Sequence, residues 1–454
     1  MAAIFFAAVA GDAVEEPKNT CLRSRAVYLA HGSYLTKARR TGPMALSRRK
    51  ALRGAAGTFI LASASPIALA ADKVYHIGIT LPLTGADAEA AHLILHGAQL
   101  AIKLANQSGE LGDIRLEPMI LNNATATAGQ YDPAQAATNA RKLAGTRTVL
   151  ANVGPEMSGS GKAMAPILSM ANLATITPSS TAPDITNPAY AGEFDPGGKP
   201  IYFRTVTTDA YQGPNMANFY AEVLKVKSVY ILDDSGAYGV GLANAFEAQA
   251  KKKGIKVLGR DRLDPKAADY SAVLTKIAAT KTASLYYGGT MQAGVKLVKQ
   301  SYQIIPHVIK GGGDGILSPE MMTAAGFPAA EGWYGTNASP HVVDDPKLAN
   351  WVKLYTKTYG VAPDDYAITA YDAALVAIAG IKAVQKAGKP LTAANVRDAI
   401  ATVHVNGLQG PISFDKYGDM TSHIVAVFQF HQDKSAPLGD LNKQMRYVGV
   451  APQH

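Results

Sequence analysis

From Val74 onward the chain alternates short β-rich runs with segments of helical spacing, and it does so in two successive sets. The first set opens with VYHIGITL and a helical stretch over 88–104, with apolar positions at Leu93, Ala98 and Ala101, which Gly109 and Gly112 stop. IRLEPMIL, an amphipathic segment over 133–143, TVLANVG, a helix from Ser158 and LATITP continue it. After Ile201-Tyr202-Phe203-Arg204 the pattern restarts with SVYILDD, a helix over 238–252, IKVLGR, a helix over 270–279, ASLYYGG, a helix from Gln292 and HVIKGGG. Units of this kind predict parallel sheets covered by helices on both faces. Helical segments over 347–359, 366–387 and 393–400 follow, then the hairpin-like GPISFDKYGD and the strand run HIVAVFQF. The expected fold is therefore α/β, with two Rossmann-like lobes joined by several crossings. No close sequence repeat relates the two sets, so the lobes should share shape rather than residues. A length of 454 residues also exceeds what one small core serves.

The ends of the chain carry different information. Residues 44–73 read MALSRRKALRGAAGTFILASASPIALAADK. A basic start (Arg48, Arg49, Lys50, Arg53), an apolar run around Phe59-Ile60-Leu61 and the small-residue signature Ala68-Leu69-Ala70 make 44–70 a secretory signal peptide. SRRKALR is similar to a twin-arginine export signal, with Ala51 where that pattern prefers phenylalanine, and either export route fits. Residues 1–43 read as an upstream extension without core-like periodicity. The whole chain has a net charge of +9, yet residues 1–70 hold 10 of the 44 Lys/Arg and 3 of the 35 Asp/Glu. The remainder carries about +2, which excludes a nucleic-acid-binding surface built on bulk charge. Cys21, the one cysteine, also lies in the leader, so the mature chain lacks disulfide and thiol chemistry and has no cysteine to lipidate. No uninterrupted apolar run reaches the ~20 residues of a membrane span. A free protein exported across the cytoplasmic membrane is expected.

The stretch VGPEMSGSGKAMA pairs a glycine-rich turn with a lysine, as a phosphate-binding loop does. Counting back from Gly161-Lys162, Glu156 stands where the first glycine belongs, and Ala163 replaces the hydroxyl that reaches magnesium. Nucleotide binding is thus disfavoured. What remains is a strand turning into a helix that opens Ser158-Gly159-Ser160-Gly161. A helix start presents free N–H groups and a partial positive charge, which suits a small anion, although Ser158 could equally cap its own helix. A second hydroxyl-rich turn, Ser179-Ser180-Thr181 in ITPSSTAPDIT, follows the next strand. At the carboxyl ends of neighbouring parallel strands the two turns share a crevice.

These stretches stand in a specific order: LPLTGADAEAAHLILHGAQLAI, GPEMSGSG, ITPSSTAP, FRTV with DAYQGPNMA, LDDSGAYGVGLA, DYSAVLTKI, LYYGG, GGDG and AYDAA. Together, over about 74–430, they make the chain resemble the periplasmic leucine/isoleucine/valine-binding protein family, the soluble receptors of ABC importers. The resemblance implies a type I periplasmic binding fold with a three-crossing hinge. Lobe 1 would comprise 71–204 plus 336–410, and lobe 2 would comprise 205–335 plus 411–454. It implies an amino-acid ligand whose carboxylate meets Ser158, the backbone of Ser179, and Thr181, and whose ammonium meets Asp314 of GGDG. Tyr238 of GAYG would pack on the ligand as the cleft closes. Ala90 and Thr290 stand where the branched-chain receptors carry aromatic residues, which implies a roomier pocket and a branched-chain-like or bulkier hydrophobic ligand. An amide, urea-like or aromatic-acid ligand is the alternative. The resemblance further implies a periplasmic monomer without cofactor or catalytic residues, partnered by a membrane permease.

Three residue groups compete for attention. His92 and His96 have metal-ligand spacing, but Leu93 follows His92 where a zinc hydrolase needs glutamate, and no third ligand is near, so no metal is expected. Glu156 could touch a ligand amine or cap a helix. Tyr371-Asp372 could line the cleft, though bracing the helical tail is the simpler role. No G-x-S-x-G elbow or cysteine–histidine pair points to an enzyme.

Overall fold

The computed structural model describes residues 73–453; the proposed leader and upstream extension lie outside them. The first set of elements is β1 (Lys73–Leu81), α1 (Ala88–Ser108), β2 (Ile114–Asn122), α2 (Pro133–Gly145), β3 (Val149–Val153), α3 (Ser158–Met170), β4 (Thr175–Thr177), α4 (Ala191–Phe194) and β5 (Tyr202–Arg204). Its sheet has the order β2-β1-β3-β4-β5 with every pair parallel. The second set is α5 (Asp209–Glu222), β6 (Ser228–Asp233), α6 (Ala237–Lys252), β7 (Lys256–Arg262), α7 (Ser271–Ala279), β8 (Ser284–Gly288), α8 (Met291–Ile304), β9 (Ile309–Gly312) and β10 (Tyr334–Asn337). Those strands run β7-β6-β8-β9-β10, again all parallel. The two sheets thus share one winding order, 2-1-3-4-5, without sharing sequence.

Three helices then return to the first sheet: α9 (Ala349–Tyr359), α10 (Asp365–Lys386) and α11 (Ala393–Ile400). The hairpin β11 (Val405–Gly407) and β12 (Gly410–Ile412) follows, and the chain closes with β13 (Ala426–Phe430) and β14 (Met445–Val450). These last two add antiparallel to the edge of the second sheet beside β10. β14 is a strand that the sequence reading did not anticipate; four of its six residues, among them Tyr447, Val448 and Val450, are exposed, so it lacks the apolar continuity of a buried strand.

Local chemistry explains the element ends. Gly109 ends α1 in the left-handed conformation (φ 74°), which only glycine adopts without strain. Asp132 caps α2 by accepting the Ala134 N–H at 2.9 Å, with Pro133 at the first helical position, and Asp364 caps α10 through the Ala367 N–H at 2.7 Å. α10 packs along α1, and at their crossing a Cβ on Gly97 would lie 2.0 Å from the Ala367 carbonyl oxygen. That approach admits no side chain.

The cores follow from the layers. Ile77, Ile79 and Val153 pack with Ile94, Ala98, Ala373 and Ile381 on one face of the first sheet. Leu143, Met164 and Leu168 cover the other face. Two further clusters, around Leu285 with Leu297 and around Ile231 with Phe246, flank the second sheet. The chain passes between the lobes three times, over 205–208, 338–348 and 413–425, and the passages bond to one another. Thr207 N–H donates to Ala338 O at 2.8 Å, and Arg204 N–H donates to Gly418 O at 3.2 Å.

Candidate functional site

In both sheets the strand order reverses beside the first strand of the set, and a crevice opens at the carboxyl ends of the strands there. On the first lobe the turns after β1, β3 and β4 reach it; on the second lobe the turns after β6, β8 and β9 do. A cavity of about 50 Å3 lies between these turns. Ser158, Ser179 and Glu156 line it from the first lobe, with Ala90 on the opening turn of α1. Tyr238, Thr290 and Asp314 line it from the second lobe. Thr181 is fully buried in the same turn as Ser179 but is not part of the lining; its hydroxyl stands beside the buried Asp209 carboxylate.

The first wall is a hydroxyl network. Ser158 does not cap its own helix; its oxygen accepts the Ala182 N–H at 3.2 Å and the Ser180 hydroxyl at 3.4 Å from the neighbouring turn. That leaves its own proton to donate. The Ser179 hydroxyl donates to Glu156 O at 3.2 Å, and Thr177 Oγ1 accepts the Ser179 and Ser180 N–H groups. Arg204, wholly buried, fixes this turn from behind by donating to Ser180 O at 2.6 Å and Ala182 O at 2.7 Å. At Gly154 (φ 106°) a Cβ would meet Thr80 O at 2.4 Å, so glycine is required where β3 turns toward the site. Lys162, the lysine of the phosphate-loop look-alike, pairs with Asp184 outside the cavity lining.

The second wall is built on Asp314, in a single 3-10 turn after β9. The Tyr238 hydroxyl donates to its Oδ1 at 2.6 Å and the Tyr366 hydroxyl to its Oδ2, while its N–H donates to Gln212 Oε1 at 3.0 Å. Burial raises the Asp314 carboxyl above its ordinary value, and the Tyr238 and Tyr366 hydroxyls, with the Gln212 side chain, pull it back. The Tyr238 oxygen also accepts the Gly315 N–H at 3.0 Å, so Tyr238 serves as a prop for Asp314 as well as a surface. Thr290 turns its N–H to Asp234 Oδ2 at 2.9 Å. Ala90 and Thr290 share the lining with Met291 and Leu317.

Among the lining residues that escaped the sequence reading, two bear on the chemistry of the site. Tyr366 comes from the first turn of α10, on the first lobe, and reaches across to Asp314. The nearby Tyr371-Asp372 drew notice instead, yet Asp372 braces the tail, accepting the Leu408 and Gln409 N–H groups at 2.7 and 3.1 Å. Asp87, in the same LTGADAEA run as Ala90, is buried on the cavity wall, and burial together with Glu320 and Asp234 pushes its carboxyl up to about 7. Glu156 is raised well above the ordinary value by burial first and by Asp87 and Glu320 after it. No lysine or arginine lines the cavity. His92 and His96 face each other at 6.3 Å between ring centroids, and His96 stacks on Tyr359 at 4.2 Å, which accounts for the pair as packing.

Comparison with known proteins agrees with this architecture. The chain is 31% identical over 363 residues to the Leu/Ile/Val-binding protein BraC3 of Rhizobium johnstonii, covering 79% of this chain and 92% of that one. It is 29% identical over 376 residues to a leucine-, isoleucine-, valine-, threonine- and alanine-binding protein of Pseudomonas aeruginosa, covering 82% and 94%. Among solved structures, a leucine-binding protein from Thermotoga maritima superposes with a TM-score of 0.71 at 25% identity, covering 83% of this chain and 98% of that one. A benzoate-bound solute-binding protein from R. palustris shares the fold at a TM-score of 0.69 and 19% identity, covering 84% and 98%. The profile of the periplasmic binding protein family matches residues 74–435, and the chain belongs to that family.

Proposed function

We propose that this chain is the extracytoplasmic receptor of an ABC importer, taking an amino acid into the cleft between its lobes and delivering it to a membrane permease. The observation that carries the reading is the opposition of two walls around one cavity: the Ser158 hydroxyl, with its proton free to donate, and a helix start on one side, a buried carboxylate on the other. A zwitterion matches both. Ser158 and the backbone of Ser179 would receive the carboxylate, and Asp314, held by Tyr238, the ammonium; Thr181, expected as a third partner, lies behind the lining. Hydrogen bonds to a charged group contribute about 1.5–3 kcal/mol each, so three or four supply most of the ~8 kcal/mol of a micromolar affinity. The names of the relatives support a branched-chain-like or bulkier hydrophobic ligand, and Ala90 and Thr290 leave the wall without aromatic rings there.

Both lobes line the cavity, so a solute held on both walls enters and leaves as the walls part. The expected bounds, 71–204 plus 336–410 and 205–335 plus 411–454, cut through β10 and β12; drawn at the three interlobe passages on which they turn, the moving bodies are 73–204 plus 349–412 and 209–337 plus 426–453. Ligand contacts made by both lobes favour the closed form by their differential affinity. The protein acts as a periplasmic monomer and returns its ligand unchanged, and the SRRKALR leader suits either twin-arginine or general export.

Calorimetric titration of residues 71–454 with L-leucine and L-phenylalanine tests this. At least one should bind at micromolar concentration, and Asp314→Ala should weaken that binding tenfold or more. An unaltered dissociation constant in Asp314→Ala would remove Asp314 from the site.

A further inference from the structure

The opposing walls account for a zwitterion, but they do not account for Asp87 and Glu156. Asp87 is 1% exposed and Glu156 8% exposed, and both line the cavity. Asp87 Oδ1 and Glu156 Oε2 are buried and have no hydrogen-bond partner. Asp87 uses its other oxygen only in a long 3.4 Å contact from the Tyr131 N–H, and it does not cap α1 with its side chain. The charges acting on them are like charges: Asp234, Glu320, Asp364 and Asp314. A buried oxygen acceptor with no donor costs about 1–3 kcal/mol, and an ionised one costs more. A purely aliphatic ligand side chain would leave that cost in place and remove the water that could relieve it.

We propose that Asp87 and Glu156 form a second acceptor subsite, filled by N–H groups on the ligand's side chain, so that the receptor favours an amino acid bearing a side-chain amide, ammonium or guanidinium over a branched aliphatic one. The inference rests on the amino-acid reading for the ligand's orientation and replaces the hydrophobic side chain of that reading with a nitrogen-bearing one. Asp314 faces the α-ammonium from the second lobe, while Asp87 and Glu156 approach from the first lobe, at the starts of α1 and α3. One ligand with nitrogen at two places satisfies both walls. A ligand with nitrogen at one place satisfies only the second.

The test uses matched pairs on purified residues 71–454, with L-glutamine against L-methionine and L-lysine against L-norleucine. Agmatine and pentanamide serve as probes lacking the α-carboxylate. In calorimetry, at least one member with side-chain nitrogen should bind tenfold or more tightly than its match without it. Glu156→Gln or Asp87→Asn should erase that preference while the unliganded melting temperature holds or rises, which shows that the variants fold. If L-methionine, L-norleucine or L-leucine binds as tightly as the nitrogen-bearing amino acids and both variants leave affinities unchanged, the subsite is overturned and the amino-acid reading survives. If agmatine or pentanamide alone binds, and loses affinity in Glu156→Gln, the subsite stands and the amino-acid reading falls. Absence of binding by every nitrogen-bearing probe overturns the subsite.

Discussion

Single residues in the cleft carry opposed costs. The Asp87 carboxyl, ordinarily near 3.8, stands at about 7 because burial dominates and Glu320 and Asp234 add to it. Below about pH 3 the group is protonated folded or unfolded and costs nothing. As pH rises toward 7 the unfolded chain ionises first, so the unliganded protein loses stability through that window and levels off above it. Asp87→Asn keeps an acceptor for Tyr131 and removes the charge. Its melting temperature should match the parent at about pH 3 and exceed it at about pH 8, by the equivalent of about 1–3 kcal/mol, in scanning calorimetry. A parallel pair of curves across that range would place the burden elsewhere. Arg204 is the reverse case. It donates to Ser180, Ala182 and Thr186 and pairs with Asp419 at 2.6 Å, all from a fully buried position. Arg204→Met should cost about 3–5 kcal/mol in urea unfolding, because the Asp419 charge and two carbonyls lose their partner together. The sequence offered Arg204 only as the last residue before a crossing; nothing local to FRTV tells that its side chain folds back under the serine turn.

At the scale of elements, the second interlobe passage is pinned where β10 gives way to α9 and α10. His341 Nδ1 meets Asp365 Oδ2 at 2.8 Å, its Nε2 lies 3.3 Å from Asp344, and its ring packs edge-on against Phe428 of β13 at 5.0 Å. Burial alone would lower the imidazole pKa, but the two carboxylates outweigh it and hold it at about 9. A histidine raised in this way stabilises fully below its ordinary value of 6.5, and the contribution disappears as pH climbs through about 9. His341→Gln should therefore lower the melting temperature at pH 6, by the equivalent of about 1–3 kcal/mol, with the gap closing by pH 10. A gap that is constant with pH would reduce His341 to a packing residue. Elements were also where the sequence read best. The helix expected over 393–400 is α11 residue for residue, and Gly109 ends α1 as expected, because periodicity and caps are local properties. β14 was missed because an exposed edge strand has neither signal.

Across the whole molecule, hydrogen bonds join the lobes both in the cavity lining and outside it. Tyr366 reaches Asp314, the Gln292 amide donates to Ala128 O at 3.0 Å, and Asn442 donates to Pro363 O at 2.7 Å. Each joins a group on one lobe to a group on the other, so each is lost on opening. Tyr366→Phe with Gln292→Ala should shift the unliganded protein toward a larger radius of gyration in small-angle scattering, while saturating ligand restores the compact form. Ligand at a hundredfold excess over Kd should add about 2.7 kcal/mol to the parent. No change in radius for the double variant would mean that the three passages, rather than the cleft contacts, set the lobe angle.

Alternating strands and helices, the restart of the pattern, the hydroxyl turns and the acidic GGDG are short-range facts; read in order they sufficed for the fold class, and the resemblance they carry pointed to Ser158, Ser179, Tyr238, Thr290 and Asp314 of the cavity wall, though also to Thr181, which lies behind it. Shared winding of the two sheets is another matter, since strand order depends on which elements meet after hundreds of residues. The same is true of Tyr366 crossing to Asp314, of Arg204 beneath the serine turn, and of Asp87 and Glu156 meeting without a cation between them. Spacing along the chain reports which way a side chain faces on its own element; what it faces, and whether water remains there, is settled only when the two lobes come together.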